Sequence, residues 1–282
     1  MASIQEQGPV EGVTIERYWE IDRVVVKTDH PVALDSPDHI APFGTAQDNS
    51  RNHLFNEKLY ALYPSRSPLI LDLGCAGGGF VHDCINDGCL AVGIEGSDFS
   101  LRMNRAEWPI GAGKFLFTAD ITKPFKVEAI IRGEPIPLSF DVITAWEVME
   151  HIAEPNLPAF MENINRHLSA NGLLFFSISA EESSHHGIHL HQTMQSREWW
   201  LGYFRGHGLD ECTSLEAYFK GRYIRGRGTR FELVNRGRDF VLILSRKSAT
   251  VPVAAPVSTA RFFYDLWRGS WPQRVLQKLL VG

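Results

Sequence analysis

From residue 69 onward, short runs of consecutive apolar residues alternate with segments whose apolar residues recur every three or four positions. The first run, LILDL (69–73), reads as a strand buried on both faces, and a glycine-rich turn leads from it into a helix through Phe80, Val81 and Ile85. LAVGIE (90–95) precedes a helix near 97–107, and KFLFTAD (114–120) precedes a stretch broken by Pro and Gly. FDVITAW (140–146) is followed by a helix with Leu157, Phe160, Met161, Ile164 and Leu168 at helical spacing, closed by Asn171-Gly172 ahead of a fifth strand, LLFFSIS (173–179). Ser196 caps a further helix carrying Trp199, Trp200, Tyr203 and Phe204. A strand near 210–219 and a last one, DFVLILS (239–245), then read as a hairpin with a long insert. Strands joined through helices lie parallel in one sheet covered on both faces, with a ligand crevice beyond their carboxyl ends. The expected fold class is α/β.

The flanks carry weaker patterns. Residues 1–49 form an arm rich in Pro, Asp and turn residues around one alternating run, 21–27, which predicts a single strand. Asp48-Asn49-Ser50 offers caps to a helix through Leu54, Leu59 and Leu62 that Pro64 ends. Residues 50–248 make the main domain, including an insert at 220–238, and 249–282 make a linker and an amphipathic tail.

Composition narrows the classes. With 282 residues, 44% hydrophobic, 22% charged and 11% aromatic, the chain suits a soluble globular enzyme and excludes a disordered or fibrous one. A net charge of −5 excludes a whole-molecule basic field, so DNA is not an expected partner. The chain has no apolar run of roughly 18 residues and its start, MASIQEQGP, lacks the pattern of a signal peptide, so a cytoplasmic location is expected. Cys75, Cys84, Cys89 and Cys212 have no metal or redox spacing and read as reduced and structural.

The chemistry concentrates in LDLGCAGGGF (71–80). A glycine-rich turn between buried strand and helix lets backbone approach a ligand closely, with Gly74, Ala76 and Gly78 as its floor. Asp72 stands where a carboxylate can pair with the amino end of an amino-acid-like ligand. Gly74, Ala76 and Gly79 also satisfy the spacing of a dinucleotide site. Glu95, at the next strand end, can take both ribose hydroxyls of either cofactor, and Asp120, ending the third strand, lies near an adenine amino group. On these residues alone, an NAD(P)-dependent oxidoreductase and a methyl-transferring enzyme both remain open.

FDVITAWEVMEHI (140–152), taken with LDLGCAGGGF, Glu95 and Asp120, resembles the class I S-adenosylmethionine-dependent methyltransferases over about residues 50–246. The resemblance implies a Rossmann-like, seven-stranded, mostly parallel sheet with a terminal antiparallel hairpin. It implies Asp72 and Gly74 at the methionine end of S-adenosylmethionine, Glu95 on the ribose, Asp120 and Ile121 around adenine, and Ala76, Gly78 and Trp146 among the cofactor contacts. Ala76 replaces a glycine common in that family, which a negative φ would permit. Glu147, Glu150 and His151 fall at i, i+3 and i+4, where one helical turn aims all three at the crevice. This E-x-x-E-H cluster is similar to clusters of the ubiquinone-pathway O-methyltransferases and the small-RNA terminal 2′-O-methyltransferases, where it is associated with a divalent cation. In the latter a further histidine completes the site, and H-x-x-x-x-[ST]-R-E is present here as residues 191–198. Glu147, Glu150, His151 and His191 are therefore the candidate catalytic residues and the candidate ligands of Mg²⁺, Mn²⁺ or Zn²⁺.

Methyl transfer needs a lone pair in line with the sulfonium methyl. Positioning supplies about 7–11 kcal/mol of the barrier, and a general base such as His151 or His191 adds about 10²–10⁴-fold for an alcohol, so a small-molecule or saccharide hydroxyl is the favoured acceptor. Residues 220–238 hold seven Lys/Arg against Glu232, which suggests an anionic acceptor such as a sugar phosphate. The arm segment DSPDHIAPFGTAQDNS (35–50) is expected to cross the crevice. The tail, with Arg261, Arg268, Arg274 and Lys278, can touch a membrane surface but is expected to pack on its own domain. Two rivals carry less: an RNA 2′-O-methyltransferase, for which no RNA-binding domain is recognisable, and a noncatalytic binding module, against which the intact acidic cluster argues.

Overall fold

A computed structural model describes residues 20–225 and 239–254, so residues 1–19, most of the basic insert and the tail from 255 lie outside the described residues. The arm opens with strand β1 (Ile21–Thr28) and two short helices, α1 (Pro37–Ile40) and α2 (Phe43–Gln47). Helix α3 (His53–Tyr60) follows, capped by Asn52, whose side chain accepts from Leu54 N. The expected capping triplet lies too early; Asp48 closes its own turn instead, accepting from Ser50 N at 3.1 Å.

The alternating core then runs β2 (Leu69–Leu73), α4 (Gly79–Asn86), β3 (Leu90–Glu95), α5 (Phe99–Arg102), α6 (Trp108–Gly111) and β4 (Leu116–Thr118). The single helix expected near 97–107 is broken because Asn104 and Ala106 take left-handed φ of 49° and 51°. The Pro- and Gly-interrupted stretch is a hairpin of β5 (Phe125–Ile131) and β6 (Glu134–Pro137). Its two-residue turn, Arg132-Gly133, has φ of 53° and 83°, as such turns require. β5 also pairs antiparallel with β1, Val24 opposite Ala129, so the arm is sewn to the domain through a second, three-stranded sheet.

β7 (Phe140–Trp146), α7 (Leu157–His167) and β8 (Leu168–Ile178) continue the rhythm, the helix giving way to strand at Leu168 rather than at Asn171-Gly172. After a small hairpin, β9 (Ser184–His185) and β10 (Ile188–His189), come α8 (Arg197–Gly206), β11 (Leu209–Glu211), α9 (Thr213–Phe219) and β12 (Phe240–Arg246). Ser196 caps α8 as expected, accepting from Trp199 N. The strand expected over 210–219 stops at Glu211, because Leu215 and Phe219, four apart, bury one face of a helix.

Among the described residues the main sheet has seven strands, in the order β11-β12-β8-β7-β2-β3-β4. Pairs β8-β7, β7-β2, β2-β3 and β3-β4 are parallel, and β12 is antiparallel to both neighbours. This is the seven-stranded class I methyltransferase architecture with its terminal hairpin. Alternate residues of β2 face opposite layers: Leu71 and Leu73 join Phe160, Met161 and Trp200, whereas Ile70 joins Phe55, Leu59 and Phe80. Every residue of β2 and β7 is buried, which explains why these strands are apolar at consecutive positions apart from Asp72, Asp141 and Thr144. Among the described residues, no helix is long and apolar enough to cross a membrane.

Candidate active site

The strand order lines up five carboxyl ends along one sheet edge: those of β4, β3, β2, β7 and β8. Between this edge and the arm lies a hollow of about 810 Å³, lined by Gly74, Ala76, Glu95, Asp120, Ile121, Trp146, Glu147, Glu150, His151 and His191, and from the arm by Leu34, Asp38, Phe43 and Asp48. The arm segment expected to cross the crevice therefore forms one of its walls.

The turn after β2 is shaped by close approach. Gly74 has φ 75°, and a Cβ there would lie 2.4 Å from Val148 Cγ2. Ala76 takes φ 46°, against the negative φ expected for a residue with a side chain. Two bonds hold it in this unfavourable region: its N–H donates to Glu95 Oε2 at 2.7 Å, and its carbonyl accepts from Trp108 Nε1 at 2.8 Å. Two sequence candidates stand apart from the lining. Gly78 (φ 83°) is the N-cap of α4, where a Cβ would meet Leu116 Cδ1 at 2.6 Å, so glycine is required there by close packing. Asp72 is buried, with Oδ1 accepting from Thr144 Oγ1 at 2.6 Å, and burial pushes its carboxyl up to about 8 despite that bond.

Glu95 is buried at the end of β3. Its Oε1 accepts from Ser97 N at 3.1 Å and Oε2 from Ala76 N, yet burial still raises it to about 7. Asp120 Oδ1 accepts from Thr122 N and Oγ1, at 2.9 and 2.6 Å, while Asp120 N donates to His30 O in the arm at 2.9 Å. Ile121 beside it is anchored through its carbonyl, which accepts from Asn163 Nδ2 at 2.9 Å. Trp146 lines the hollow but packs edge-on against Phe55, ring centroids 5.2 Å apart.

Beyond β7 the chain does not form the α-helical turn its spacing suggests. Glu147 takes a left-handed φ of 55°, its N–H shared between Ser177 O and Oγ, and Met149–His151 is a tight 3₁₀ turn. Glu147 consequently points to Arg225, whose Nη2 is 2.5 Å from Glu147 Oε2 and whose Nη1 is 3.0 Å from Asp48 Oδ2. Glu150 is wholly buried; Oε1 accepts from Ser179 N at 2.9 Å, and Oε2 has no hydrogen-bond partner among the described residues. Burial raises its carboxyl to about 7, with the His151 charge opposing. The Glu150 carbonyl accepts from Gln192 N and Thr193 N, which ties the His191 loop to this turn.

His151 Nδ1 lies 2.8 Å from Asp38 Oδ2, where the carboxylate attracts a proton to that nitrogen although the pair is not aligned as a hydrogen bond. Burial pulls the imidazole down, but Asp38, Glu150 and Glu147 outweigh it and the net shift is upward. His191 packs edge-on to His151, centroids 4.7 Å apart, and burial lowers its pKa. Its Nδ1, 2.5 Å from Glu181 O, must carry the proton, which leaves Nε2 as an acceptor. Glu150, His151 and His191 each bring one potential ligand atom within 4.8 Å of the others; Glu147, expected in this set, is not in that group because Arg225 takes its carboxylate. The sequence reading missed Asp38, Asp48 and Arg225 as wall and clamp residues. Their only signal was charge inside loop segments, which has no period to read.

Residues 48–222 match the family described as methyltransferase domain. The chain belongs to this methyltransferase family. The methyltransferase is similar to the ubiquinone biosynthesis O-methyltransferase of Paracidovorax citrulli, 31% identical over 117 residues, which are 41% of this chain and 45% of that relative. The corresponding protein of Bartonella quintana is 27% identical over 123 residues, 44% of this chain and 46% of the relative. The matches thus span less than half the length of these relatives. Among solved structures, a TehB-like SAM-dependent methyltransferase from Corynebacterium glutamicum is 17% identical, covering 68% of this chain and 88% of that one, with a TM-score of 0.43.

Proposed function

We propose that the hollow binds S-adenosylmethionine and that its methyl group passes to a hydroxyl of a small-molecule or saccharide acceptor. The observation that carries this reading is the order of groups along the sheet edge. Asp120 and Ile121 follow β4, Glu95 ends β3, Gly74 follows β2, and Glu147 to His151 follow β7. An extended ligand with adenine at the first, ribose at the second and its methionyl part over the third turns its sulfonium toward the fourth.

In the transfer the acceptor oxygen attacks the methyl carbon, the carbon–sulfur bond breaks, and S-adenosylhomocysteine leaves. The hydroxyl proton goes to an imidazole, His151 or His191. Holding oxygen, carbon and sulfur in line is the larger contribution. The described acceptor-side wall carries Asp38, Glu147, Glu150, Glu181 and Glu182 against Arg225, and Arg225 is already paired twice. This field favours an uncharged, hydroxyl-bearing acceptor over the anionic one suggested by the basic insert.

A second reading has its own support. The unpartnered Glu150 Oε2, with the imidazoles of His151 and His191, is a mixed oxygen and nitrogen donor set that fits Mg²⁺, Mn²⁺ or Zn²⁺. Such an ion, when bound, lowers the pKa of a coordinated hydroxyl. Incubation with methyl-labelled cofactor and a panel of neutral glycosides, phenols and sugar phosphates, before and after chelation, tests both readings. The expected result is a labelled ether on a neutral hydroxyl. Binding of NAD and not S-adenosylmethionine in a titration would overturn the proposal, and turnover untouched by chelation would remove its metal clause.

A further inference from the structure

One arm residue touches the acceptor-side cluster directly. Asp38 lies in the first turn of α1, where Ser36 Oγ accepts its N–H at 3.3 Å and Pro37 sets the entry of the chain. The same arm is held elsewhere, by β1 on β5, by Asp120 N on His30 O, and by Ala33 N on Gly96 O at 2.9 Å. Asp38 is therefore presented by a fastened segment. Its Oδ2 stands 2.8 Å from His151 Nδ1, and the two side chains keep only 21% and 18% of their exposure.

His151 has two ring nitrogens, and the carboxylate against Nδ1 decides which of them carries the proton. Glu150 and Glu147 also face this imidazole electrostatically, but the contact at Nδ1 is Asp38's. An exposed carboxylate–imidazole contact of this kind would be worth little and would need no further role. Here both partners are mostly buried, line the hollow and stand beside His191, which fixes its own tautomer through Glu181 O.

We infer that Asp38 is a positioning residue for His151: it holds the proton on Nδ1 and so leaves the Nε2 lone pair for the acceptor hydroxyl. The arm thereby completes the methyl-transfer site. The inference rests on the proposed function for its purpose, but its geometry can be tested apart from that reading.

The test is a long-range ¹H–¹⁵N spectrum of the full chain labelled with ¹⁵N-histidine, recorded at about pH 9, above the ordinary imidazole range, with His151→Gln assigning the signal. The wild type is expected to show His151 as the Nδ1–H tautomer. Asp38→Asn keeps the shape of the side chain, offers an N–H to the ring, and is expected to move His151 to the Nε2–H form. Asp38→Glu should return it to Nδ1–H. The backbone amide fingerprint reports whether the arm stays docked in each variant; if Asp38→Asn disturbs it, the wild-type and Asp38→Glu spectra decide the matter. A wild-type signal of the Nε2–H form, or one unmoved by Asp38→Asn with the arm in place, would overturn the inference. A parallel titration with S-adenosylmethionine separates the two levels: failure to bind refutes the proposed function and leaves the tautomer result standing.

Discussion

Asp72→Asn tests what the buried carboxylate behind the glycine-rich turn costs. Its carboxyl is raised from an ordinary 3.8 to about 8, chiefly by burial, with the Thr144 hydrogen bond opposing. Between those two values the folded protein binds a proton that the unfolded chain has released, so stability falls as pH rises through the window. Once both states are ionised, the folded state has lost on the order of 6 kcal/mol as an upper bound, and relaxation leaves about 2–5 kcal/mol. Asparagine matches the protonated acid in size, can accept from Thr144 Oγ1, and has no charge to bury. Urea unfolding of both proteins should therefore give a variant already more stable by about 1.5 kcal/mol near pH 5, the gap widening to about 2–5 kcal/mol near pH 9. Glu150, raised to about 7, titrates in both proteins and cancels in the difference, whereas Glu95, also raised to about 7, repels Asp72 and adds to the wild-type loss. Equal stability at both pH values, or a variant weaker at pH 9, would refute the reasoning.

Other outcomes follow from the same geometry. Gly74→Ala, at φ 75° and against Val148 Cγ2, should cost about 1–3 kcal/mol and abolish cofactor binding, with Val148→Ala recovering only the steric part; unfolding and titration calorimetry check both. Gly133→Ala, at φ 83° in open space, should cost about 1 kcal/mol in the same unfolding assay and leave cofactor affinity unchanged. Arg225→Ala should cost about 1 kcal/mol, and a double-mutant cycle with Glu147→Gln should show coupling of similar size, because the pair is only partly exposed.

The parts of this protein that were legible in its sequence are those whose burial leaves a period. β2, β7, the second half of β8 and β12 are predominantly apolar, and α7 and α8 carry their apolar residues on one stripe. The glycine-rich turn and Glu95 stood out because residue type and position relative to strands are both restricted there. The β1-β5-β6 sheet was hidden for two reasons: its partners lie about a hundred residues apart, as Val24 and Ala129 do, and β6 contains Pro135 and Pro137. The spacing of Glu147, Glu150 and His151 suggested one helical face, but a left-handed Glu147 turns the first carboxylate away to Arg225. Asp38 and His151 are joined by tertiary docking alone, and nothing local in either segment reports the other.

A crystal structure of the complex with S-adenosylhomocysteine tests the central claim most directly. Adenine beside Asp120 and Ile121, ribose hydroxyls on Glu95, and sulfur turned toward His151 and His191 are the predicted result. A nucleoside bound outside this hollow, or sulfur facing away from both imidazoles, would contradict it.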